Sequence, residues 1–357
     1  MKARAAVTDG TRSFRFVDLE VGDPGTDEVR VRVMASGVCH TDWKQLGNGN
    51  RRILGHEGAG VVESVGVGVN HVRPGDRVLL NWAQPCGACF QCELGYENVC
   101  ENRPTVPDRR FLLKGKPIHP NFELGTMSTL TVVPLQAVTK IDVEIPFTTA
   151  CIVGCAVMTG VGTVLNVAKV RPGASAVVLG AGGVGLSVIQ GCRIAGAGRI
   201  IAVDLNPQRL EMARAFGATD VIRSRRGEAG IWTAAKTVKR LTEKRGADYA
   251  FECMSVPALG WAPLAMIRNG GTAVGVSGIE QPVMMNFELF EWDKTYINPL
   301  YGRCRPLADM PRMFRYYADG TLKLDEMVTR IYPLEELGRA FKDMLAGKNA
   351  KGVLTLQ

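Results

Sequence analysis

The chain contains 357 residues, 46% of them hydrophobic and 22% charged, a composition typical of a folded globular protein rather than a disordered one. Its length exceeds that of a single typical core, so two domains are expected. The N-terminal sequence MKARAAVTDG lacks the apolar segment of a secretion signal, and no run of about eighteen apolar residues indicates a membrane span. We therefore expect a cytoplasmic protein without membrane partners.

The formal net charge of +8 is spread along the chain, and the densest basic cluster, residues 223–226, is short. A nucleic-acid partner is therefore not expected. The ten cysteines occur in a chain without a secretion signal, so we interpret them as metal ligands or buried thiols rather than as a disulfide framework.

The first 155 residues are predicted to be mainly β. Short Val-rich runs are broken by glycine and are typical of antiparallel strands joined by turns, as in EVRVRVMASG, GAGVVESVGVGV and GDRVLL.

Within this β-rich stretch, Cys86, Cys89, Cys92 and Cys100 follow the pattern C-x2-C-x2-C-x7-C. Such tight spacing lets one loop place four thiolates tetrahedrally around a zinc ion. Ferredoxin-type iron–sulfur motifs place the fourth cysteine four residues after the third, followed by proline, whereas here it comes eight residues after the third and Glu101 follows. We predict a structural zinc site that is closed and performs no chemistry.

Three dispersed segments offer ligands for a second metal: Cys39-His40-Thr41, Gly55-His56-Glu57 and Gly154-Cys155. A catalytic zinc takes three protein ligands and keeps one position open. Each segment alone is weak evidence, because a lone cysteine beside glycine is usually a core residue and a lone histidine usually packs or caps. However, two of the four histidines in the chain fall in these segments.

From Ser175 onward, apolar strands, glycine turns and helical patterns alternate, which indicates βαβ units and a parallel sheet. After about Pro299 the alternation ends, and a helix over residues 334–345 and a final strand GVLTL are predicted. Further strands of the parallel sheet are predicted at residues 220–222, 248–253 and 272–276.

The glycines Gly180, Gly182 and Gly185 follow the apolar strand AVVL and precede a helical pattern. In this context the G-x-G-x-x-G spacing predicts a turn whose backbone, including Gly183 and Val184, binds a pyrophosphate at the start of the helix.

Asp204 follows the next strand, nineteen residues after Gly185. A carboxylate there accepts hydrogen bonds from the adenosine ribose and repels a 2′-phosphate, so NAD is predicted over NADP. The alternative is that Asp204 caps the helix that starts at Pro207.

Taken in chain order, these motifs resemble the zinc-containing medium-chain alcohol dehydrogenases. The resemblance spans nearly the whole chain and implies an α/β fold with a GroES-like, mainly β catalytic domain and a doubly wound Rossmann domain. The catalytic domain would comprise residues 1–156 and 300–357, and the Rossmann domain residues 157–299. The matching segments are Cys39-His40-Thr41, Gly55-His56-Glu57-x2-Gly60-x5-Gly66-x2-Val69, the four-cysteine lobe, Gly75-Asp76-Arg77-Val78, Lys140-Ile141-Asp142 and GVLTL.

The resemblance implies that Cys39, His56 and Cys155 bind the catalytic zinc, with Glu57 as a carboxylate that can exchange with water on the metal. Cys151 competes with Cys155, but the family's ligand follows a glycine and precedes a Thr-Gly pair, as Cys155 does. Two zinc ions per chain are therefore expected.

The resemblance also assigns roles along the segment that follows Cys39. Thr41 would accept the alcohol proton, His40 would contact the pyrophosphate, and Asp42 would orient the imidazole of His56. Surface polar residues are the alternative for His40 and Asp42. Lys44 stands where many members carry a histidine that completes the proton relay, and release of the proton through Lys44 or through water is left open.

Further cofactor contacts are expected from Thr159, Arg209 and Lys351, and Arg209 could also bind the 2′-phosphate of NADP. Trp82 stands where the family places an aromatic residue against the substrate, although a core tryptophan is the alternative. If Trp82 lines the pocket, its bulk and that of Met127 favour an apolar or aromatic alcohol.

The sequence thus predicts an enzyme that transfers hydride between a primary alcohol and NAD, with zinc as the Lewis acid. One alternative is a thiol-dependent formaldehyde dehydrogenase, which the segment LLNWAQPCGAC and residues 301–341 also resemble. The others are a biosynthetic dehydrogenase of a sugar, cyclitol or secondary-metabolite alcohol, and a non-catalytic protein that retains the fold and one structural zinc. A homodimer is expected, with a tetramer as the alternative.

Overall fold

The computed structural model describes residues 1–356. The chain forms two compact units, one from Met1–Cys155 together with Arg305–Gln357 and the other from Ala156–Cys304. Since the first unit contains both ends of the chain, the second unit is an insertion within it.

The strands are β1 Lys2–Thr8, β2 Phe14–Val21, β3 Glu28–Val38, β4 Arg52–Ile53, β5 Gly58–Val65, β6 Arg77–Leu80, β7 Phe111–Leu113, β8 Lys116–Pro117, β9 His119–Pro120, β10 Leu130–Pro134, β11 Val138–Lys140, β12 Ser175–Leu179, β13 Arg199–Asp204, β14 Asp220–Arg223, β15 Ala247–Glu252, β16 Ile267–Gly275, β17 Thr295–Ile297, β18 Val328–Pro333 and β19 Lys351–Thr355. The α-helices are α1 His40–Gln45, α2 Phe90–Glu93, α3 Phe147–Ala150, α4 Ala156–Gly162, α5 Gly183–Ile194, α6 Pro207–Ala215, α7 Glu228–Leu241, α8 Pro306–Ala318 and α9 Leu337–Leu345.

The first unit is built on two sheets, with the strand orders β8-β7-β2-β1-β4-β9 and β11-β6-β5-β3-β19-β18, and β10 pairs with β3 in the second sheet. Most neighbouring strands are antiparallel, which confirms the predicted mainly β domain. The long strand β3 is central because it pairs with β5, β10 and β19. Its pairing with β19 brings the end of the chain beside the segment that leads to Cys39.

The side chains of β3 explain its position. Val29, Val31 and Val33 are fully buried, whereas the intervening Arg30 and Arg32 keep solvent exposure, as expected where one face of a strand covers a core. The last residues of β3 are buried without alternation, because this end of the strand is covered on both faces. Cys39 follows directly, at the start of α1.

The second unit contains a parallel sheet with the strand order β14-β13-β12-β15-β16-β17. Every pair is parallel, and the order runs outward in both directions from the first strand, which is the doubly wound Rossmann arrangement. Residues 176–179 of β12 are fully buried, as expected for a strand covered by helices on both faces. The predicted fold class is confirmed.

The predicted helix over residues 334–345 begins later than expected. Residues Leu334–Glu336 form a 3-10 turn, and α9 starts at Leu337. In the described part of the chain, no single helix has both the length and the apolarity needed to cross a bilayer, and only one broken pair of shorter helical segments meets these criteria jointly.

Asp248 on β15 links three strands of the parallel sheet. Its Oδ2 accepts hydrogen bonds from the backbone N and the Oγ of Ser175 on β12, both at 2.8 Å, and its Oδ1 accepts one from Nε of Arg268 on β16, also at 2.8 Å. Burial opposes the charged carboxylate, but the hydrogen bonds from Ser175 and Arg268 outweigh it and lower the pKa of Asp248 below its ordinary value of 3.8.

Replacing Asp248 with Asn should therefore lower the free energy of unfolding by about 1–2 kcal/mol at neutral pH. Because the carboxyl pKa is lower in the folded chain, its contribution is present above the unfolded value and is lost as the pH falls through the folded value. The free energy of unfolding of both chains is measured between pH 7 and pH 3. The difference between Asp248→Asn and the parent chain should shrink below about pH 4. The exposed Asp18→Asn serves as the control. A stability difference that does not vary with pH would show that the charge of Asp248 does not stabilise the fold.

Candidate active site and metal centres

Four side chains that could bind a metal converge in the first unit. The ligand atoms of Cys39, His56, Glu57 and Cys155 all lie within 4.8 Å of one another. Cys39 lies between β3 and α1, His56 and Glu57 directly precede β5, and Cys155 follows the 3-10 turn Cys151–Gly154. The fold therefore joins the three dispersed segments at one point.

The hydrogen bonds of His56 leave one ring nitrogen for a metal. Its Nδ1 lies 2.9 Å from Oδ1 of Asp42, and both side chains are buried. With Nδ1 donating to Asp42, the lone pair is on Nε2, which is buried and has no hydrogen-bond partner of ordinary geometry among residues 1–356. A metal would satisfy this atom, and the interpretation of Asp42 as a surface polar residue is wrong.

The pKa values of the two cysteines in this cluster are shifted in opposite directions. A hydrogen bond from the thiol of Cys155 lowers the pKa of Cys39 well below its ordinary value, although burial opposes the charge. The thiolate of Cys39, together with burial, raises the pKa of Cys155. Two adjacent sulfur atoms can both bind a metal as thiolates, because a bound cation displaces the thiol protons.

Glu57 forms a buried ion pair with Lys351, the first residue of β19. The ammonium of Lys351 donates to Oε1 of Glu57 at 2.6 Å and to the carbonyl oxygen of Val38 at 3.1 Å. Burial raises the pKa of Glu57 to about 7, and the charge of Lys351 opposes this rise. The sequence predicted a cofactor contact for Lys351, whereas the structure directs its ammonium to Glu57.

Cys151 lies outside the cluster. Its thiol is buried, donates a hydrogen bond to the carbonyl oxygen of Thr148 at 3.3 Å, and has its pKa raised by burial. The geometry therefore favours Cys155 over Cys151 as the ligand. Thr41 and Lys44 lie on α1 beyond Cys39, where Thr41 is partly exposed and Lys44 is exposed, and His40 is exposed at the start of the same helix.

The second cluster is the four-cysteine lobe. The sulfur atoms of Cys86, Cys89, Cys92 and Cys100 lie within 4.8 Å of one another. The backbone N of Cys86 donates to Sγ of Cys100 at 3.2 Å, and α2 begins directly after Cys89. Four convergent sulfur atoms match a tetrahedral structural zinc, and no position is left open for a substrate.

An aromatic group lies beside the first cluster. The ring of Phe122 is 5.2 Å from the ring of His56 and 5.5 Å from that of Trp82, measured between centroids. Trp82 is 9% exposed, and Phe122 is partly exposed. The sequence indicated Trp82 but not Phe122. Met127, which the sequence suggested as a second pocket residue, is fully buried in a hydrophobic core.

Phe122 has an unusual backbone conformation. Its φ is +53° with ψ +29°, and the next residue, Glu123, also has a positive φ of +57°. The left-handed region costs a non-glycine residue about 1–2 kcal/mol, so the surrounding structure must impose it. One such restraint is a hydrogen bond of 3.1 Å from the buried side chain of Gln84 to the carbonyl oxygen of Phe122.

The glycine turn of the second unit has the geometry of a pyrophosphate cradle. Gly180 has a φ of +91°, which only glycine adopts readily, and a Cβ on Gly185 would lie 1.8 Å from the carbonyl oxygen of Gly180. A Cβ on Gly182 would meet nothing within 4 Å, so this position faces open space. Gly183 and Val184 begin α5, whose first N–H groups are suited to a phosphate.

Asp204 stabilises this turn. Its Oδ2 accepts a hydrogen bond from the backbone N of Ala181, and its Oδ1 accepts one from the backbone N of Asn206, both at 2.8 Å. The cap of α6 is Asn206, which accepts from Gln208, so the interpretation of Asp204 as the helix cap is wrong.

Two further residues predicted to contact the cofactor lie in this unit. Arg209 on α6 is partly exposed, but its Nε is buried and has no hydrogen-bond partner within the described residues. Thr159 is partly exposed on α4.

Two family profiles match the chain in order. The alcohol dehydrogenase GroES-like domain matches residues 25–143, and the zinc-binding dehydrogenase profile matches residues 183–316. The first match includes most of the residues of both metal clusters, and the second includes the start of the helix that follows the glycine turn.

Similar proteins span the full chain. S-(hydroxymethyl)glutathione dehydrogenase of Escherichia coli is 36% identical over 99% of this chain and 100% of its own length. Alcohol dehydrogenase 1 of Pisum sativum is 33% identical over 100% of this chain and 98% of its own length. The crystal structure of benzyl alcohol dehydrogenase from Acinetobacter calcoaceticus has a TM-score of 0.90 and 27% identity and covers 100% of both chains. The chain therefore belongs to the zinc-containing medium-chain alcohol dehydrogenases and is an oxidoreductase of this family, which uses zinc and a pyridine nucleotide.

Proposed function

We propose that the chain transfers hydride between a primary alcohol and NAD, with one catalytic and one structural zinc ion. The observation that supports this most strongly is the convergence of two thiols and one unpaired imidazole nitrogen from Cys39, Cys155 and His56. A purely structural protein has no need of this second donor set, because the four-cysteine lobe already supplies a closed site.

Cys39, His56 and Cys155 would hold the catalytic zinc, and Cys86, Cys89, Cys92 and Cys100 the structural one. When bound, the catalytic zinc supplies Lewis acidity that lowers the pKa of the alcohol hydroxyl, and the nicotinamide accepts hydride. Asp42 fixes the ring of His56, and Lys351 holds the carboxylate of Glu57 beside the cluster. Thr41 would accept the alcohol proton, and Lys44 is the proposed outlet towards solvent.

NAD is the proposed cofactor. The glycine turn supplies the backbone for the pyrophosphate, together with Thr159, and Asp204 supplies a carboxylate for the ribose. Both oxygens of Asp204 retain lone pairs beyond the two backbone hydrogen bonds that they accept. NADP is the alternative, because the unpaired Nε of Arg209 lies on the helix that follows this carboxylate.

An aromatic or apolar alcohol is the proposed substrate. This rests on the ring of Phe122, which contacts both His56 and Trp82, and on the similarity to a benzyl alcohol dehydrogenase. The alternative is the S-hydroxymethyl adduct of a thiol, supported by the similarity to the enzyme of Escherichia coli. The homodimer and the cytoplasmic location stay predictions.

A substrate panel tests the proposal. Benzyl alcohol, hexan-1-ol, ethanol, and formaldehyde with glutathione or mycothiol are each incubated with NAD and with NADP, and the absorbance of the reduced nicotinamide is followed. Turnover of the free alcohols with NAD supports the proposal, whereas turnover of only the thiol adducts would favour the formaldehyde dehydrogenase. A protein that reduces neither nucleotide with any substrate would contradict the proposal.

The zinc content of two cysteine variants separates the candidate ligands. Cys155→Ser should reduce bound zinc from two ions per chain to one and abolish turnover, because the catalytic site loses a ligand. The matched variant Cys151→Ser should keep both ions, since Cys151 lies outside the cluster. Atomic absorption after dialysis measures the zinc content of both variants. Two zinc ions per chain in Cys155→Ser would argue against Cys155 as a ligand.

Gly182→Ala tests the cofactor turn. The added Cβ has no neighbour within 4 Å and φ is −81°, so the thermal midpoint should stay unchanged. The methyl group would occupy the space into which the pyrophosphate must fit, and we expect the Kd for NADH to rise at least about tenfold. Gly338→Ala, a substitution in a helix of the other unit, is the control, and normal NADH affinity in Gly182→Ala would exclude this role for the turn.

A further inference from the structure

A buried carboxylate that takes no part in the proposed chemistry lies at the same edge of the parallel sheet as the glycine turn. Glu252 is the last residue of β15, and its side chain is fully buried. Burying a carboxylate is unfavourable unless hydrogen bonds compensate for the lost hydration. The partners of Glu252 therefore show what this residue holds in place.

The carboxylate of Glu252 joins two loops. Its Oε1 accepts hydrogen bonds from the backbone N of Met254 at 2.7 Å and of Ser255 at 2.9 Å, both in the loop after β15. Its Oε2 accepts a hydrogen bond from Oγ of Ser277, in the loop after β16. The backbone N of Ser255 also donates to Oγ of Ser277 at 3.0 Å, and Oγ of Ser255 donates to the carbonyl oxygen of Gly278 at 3.1 Å. Glu252 is thus the centre of the hydrogen bonds that fix the two loops to each other.

The loop after β15 has a backbone conformation that needs such support. Ser255 has a φ of +55°, in the left-handed region that is unfavourable for serine. Its backbone N is held by Glu252 and by Ser277 together. Without the carboxylate, two neighbouring N–H groups would lose an acceptor, and we expect the loop to leave this conformation.

This loop packs directly against the glycine turn. The backbone N of Cys253 donates to the carbonyl oxygen of Leu179, at the end of β12, at 2.8 Å. A Cβ on Gly180 would lie 3.0 Å from the carbonyl oxygen of Cys253 and 3.1 Å from Cγ of Met254. Cys253 and Met254 are partly exposed, whereas Glu252 is buried. The loop therefore keeps accessible surface beside the turn, and the carboxylate supports this surface from within the fold.

The strand order relates these loops to one half of a dinucleotide. In the order β14-β13-β12-β15, β13 and β15 flank β12 on opposite sides, and ligands of such sheets bind where the order reverses. Asp204 ends β13, so the proposed contact with the adenosine ribose is on the β13 side, and the proposed pyrophosphate site follows β12. The nicotinamide nucleoside would then extend towards the loops after β15 and β16.

We propose that Glu252 is a positioning residue for the cofactor, which holds the loops after β15 and β16 in the conformation that receives the nicotinamide nucleoside. This inference rests on the proposed function with a nicotinamide dinucleotide. Glu252 acts through the two loops and does not itself touch the cofactor. A loop that is already ordered loses less conformational entropy on binding, so removing the carboxylate should weaken the binding of this half of the cofactor.

Titrations with NADH and with ADP test the proposal, because ADP carries the adenosine and two phosphates but no nicotinamide nucleoside. Glu252→Ala should raise the Kd for NADH at least about tenfold and leave the Kd for ADP within about twofold of the parent. Glu252→Gln keeps an acceptor for the two backbone N–H groups, so its Kd for NADH should stay within about threefold. Glu243→Ala, at an exposed glutamate of the same unit, should change neither Kd. Isothermal titration calorimetry measures all of these values.

Ser277→Ala is a milder second variant, which serves if Glu252→Ala does not fold. It removes the hydroxyl that donates to Oε2 of Glu252 and accepts from the backbone N of Ser255, but it leaves Oε1 and its two donors in place. We expect the Kd for NADH to rise about threefold and the Kd for ADP to stay unchanged.

Two results would overturn the proposal. An unchanged Kd for NADH in Glu252→Ala would show that the loops bind the cofactor without this carboxylate. An equal loss of affinity for NADH and ADP would show that Glu252 supports the whole nucleotide site and does not position the nicotinamide half. Neither titration depends on turnover, so a parent chain that binds NADH but oxidises no alcohol would contradict the proposed function and leave this test decisive.

Discussion

The structure depends on a cluster of polar and ionisable side chains that are largely buried from solvent. Two thiols, an imidazole, two carboxylates and an ammonium group lie within one small region of the first unit, and most of these side chains are fully buried. Burying such groups costs several kcal/mol each unless each finds a partner. Asp42 with His56, and Glu57 with Lys351, form such pairs, but two sulfur atoms and one imidazole nitrogen still lack a common partner. A divalent cation would provide it.

The fold explains how residues so far apart in the chain meet. The strand β3 ends at the cluster, β5 begins there, and β19 returns beside the end of β3 more than three hundred residues later. Lys351 at the start of β19 therefore reaches Glu57 although 294 residues separate them in the sequence. The second unit, with its parallel sheet, is inserted in the chain before β18. The sheet that contains β3 is nevertheless continuous, because strands from both ends of the chain pair within it.

Local sequence spacing was sufficient to predict the fold class and two of the candidate sites. The four-cysteine lobe and the glycine turn are short motifs whose residues meet within one loop, and the fold class follows from strand periodicity and βαβ alternation. The cluster of Cys39, His56 and Cys155 needed the family resemblance, because nothing in the spacing shows that three distant segments converge. The ion pair of Lys351, the burial of Met127 and the contact of Phe122 with His56 depend on tertiary packing, and for Phe122 on a left-handed backbone that side-chain patterns do not encode. Asn206 as the cap of α6 is a local feature, since a side-chain oxygen directly before Pro207 is a common start of a helix.

We propose that Cys39, His56 and Cys155 bind one zinc ion, distinct from the zinc of the four-cysteine lobe. Anomalous diffraction from crystals of the purified protein, collected on both sides of the zinc absorption edge, tests it most directly. We expect two peaks per chain, one of them about 2.3 Å from the sulfur atoms of Cys39 and Cys155 and about 2.0–2.1 Å from Nε2 of His56. A single peak within the four-cysteine lobe, in crystals grown with excess zinc, would contradict it.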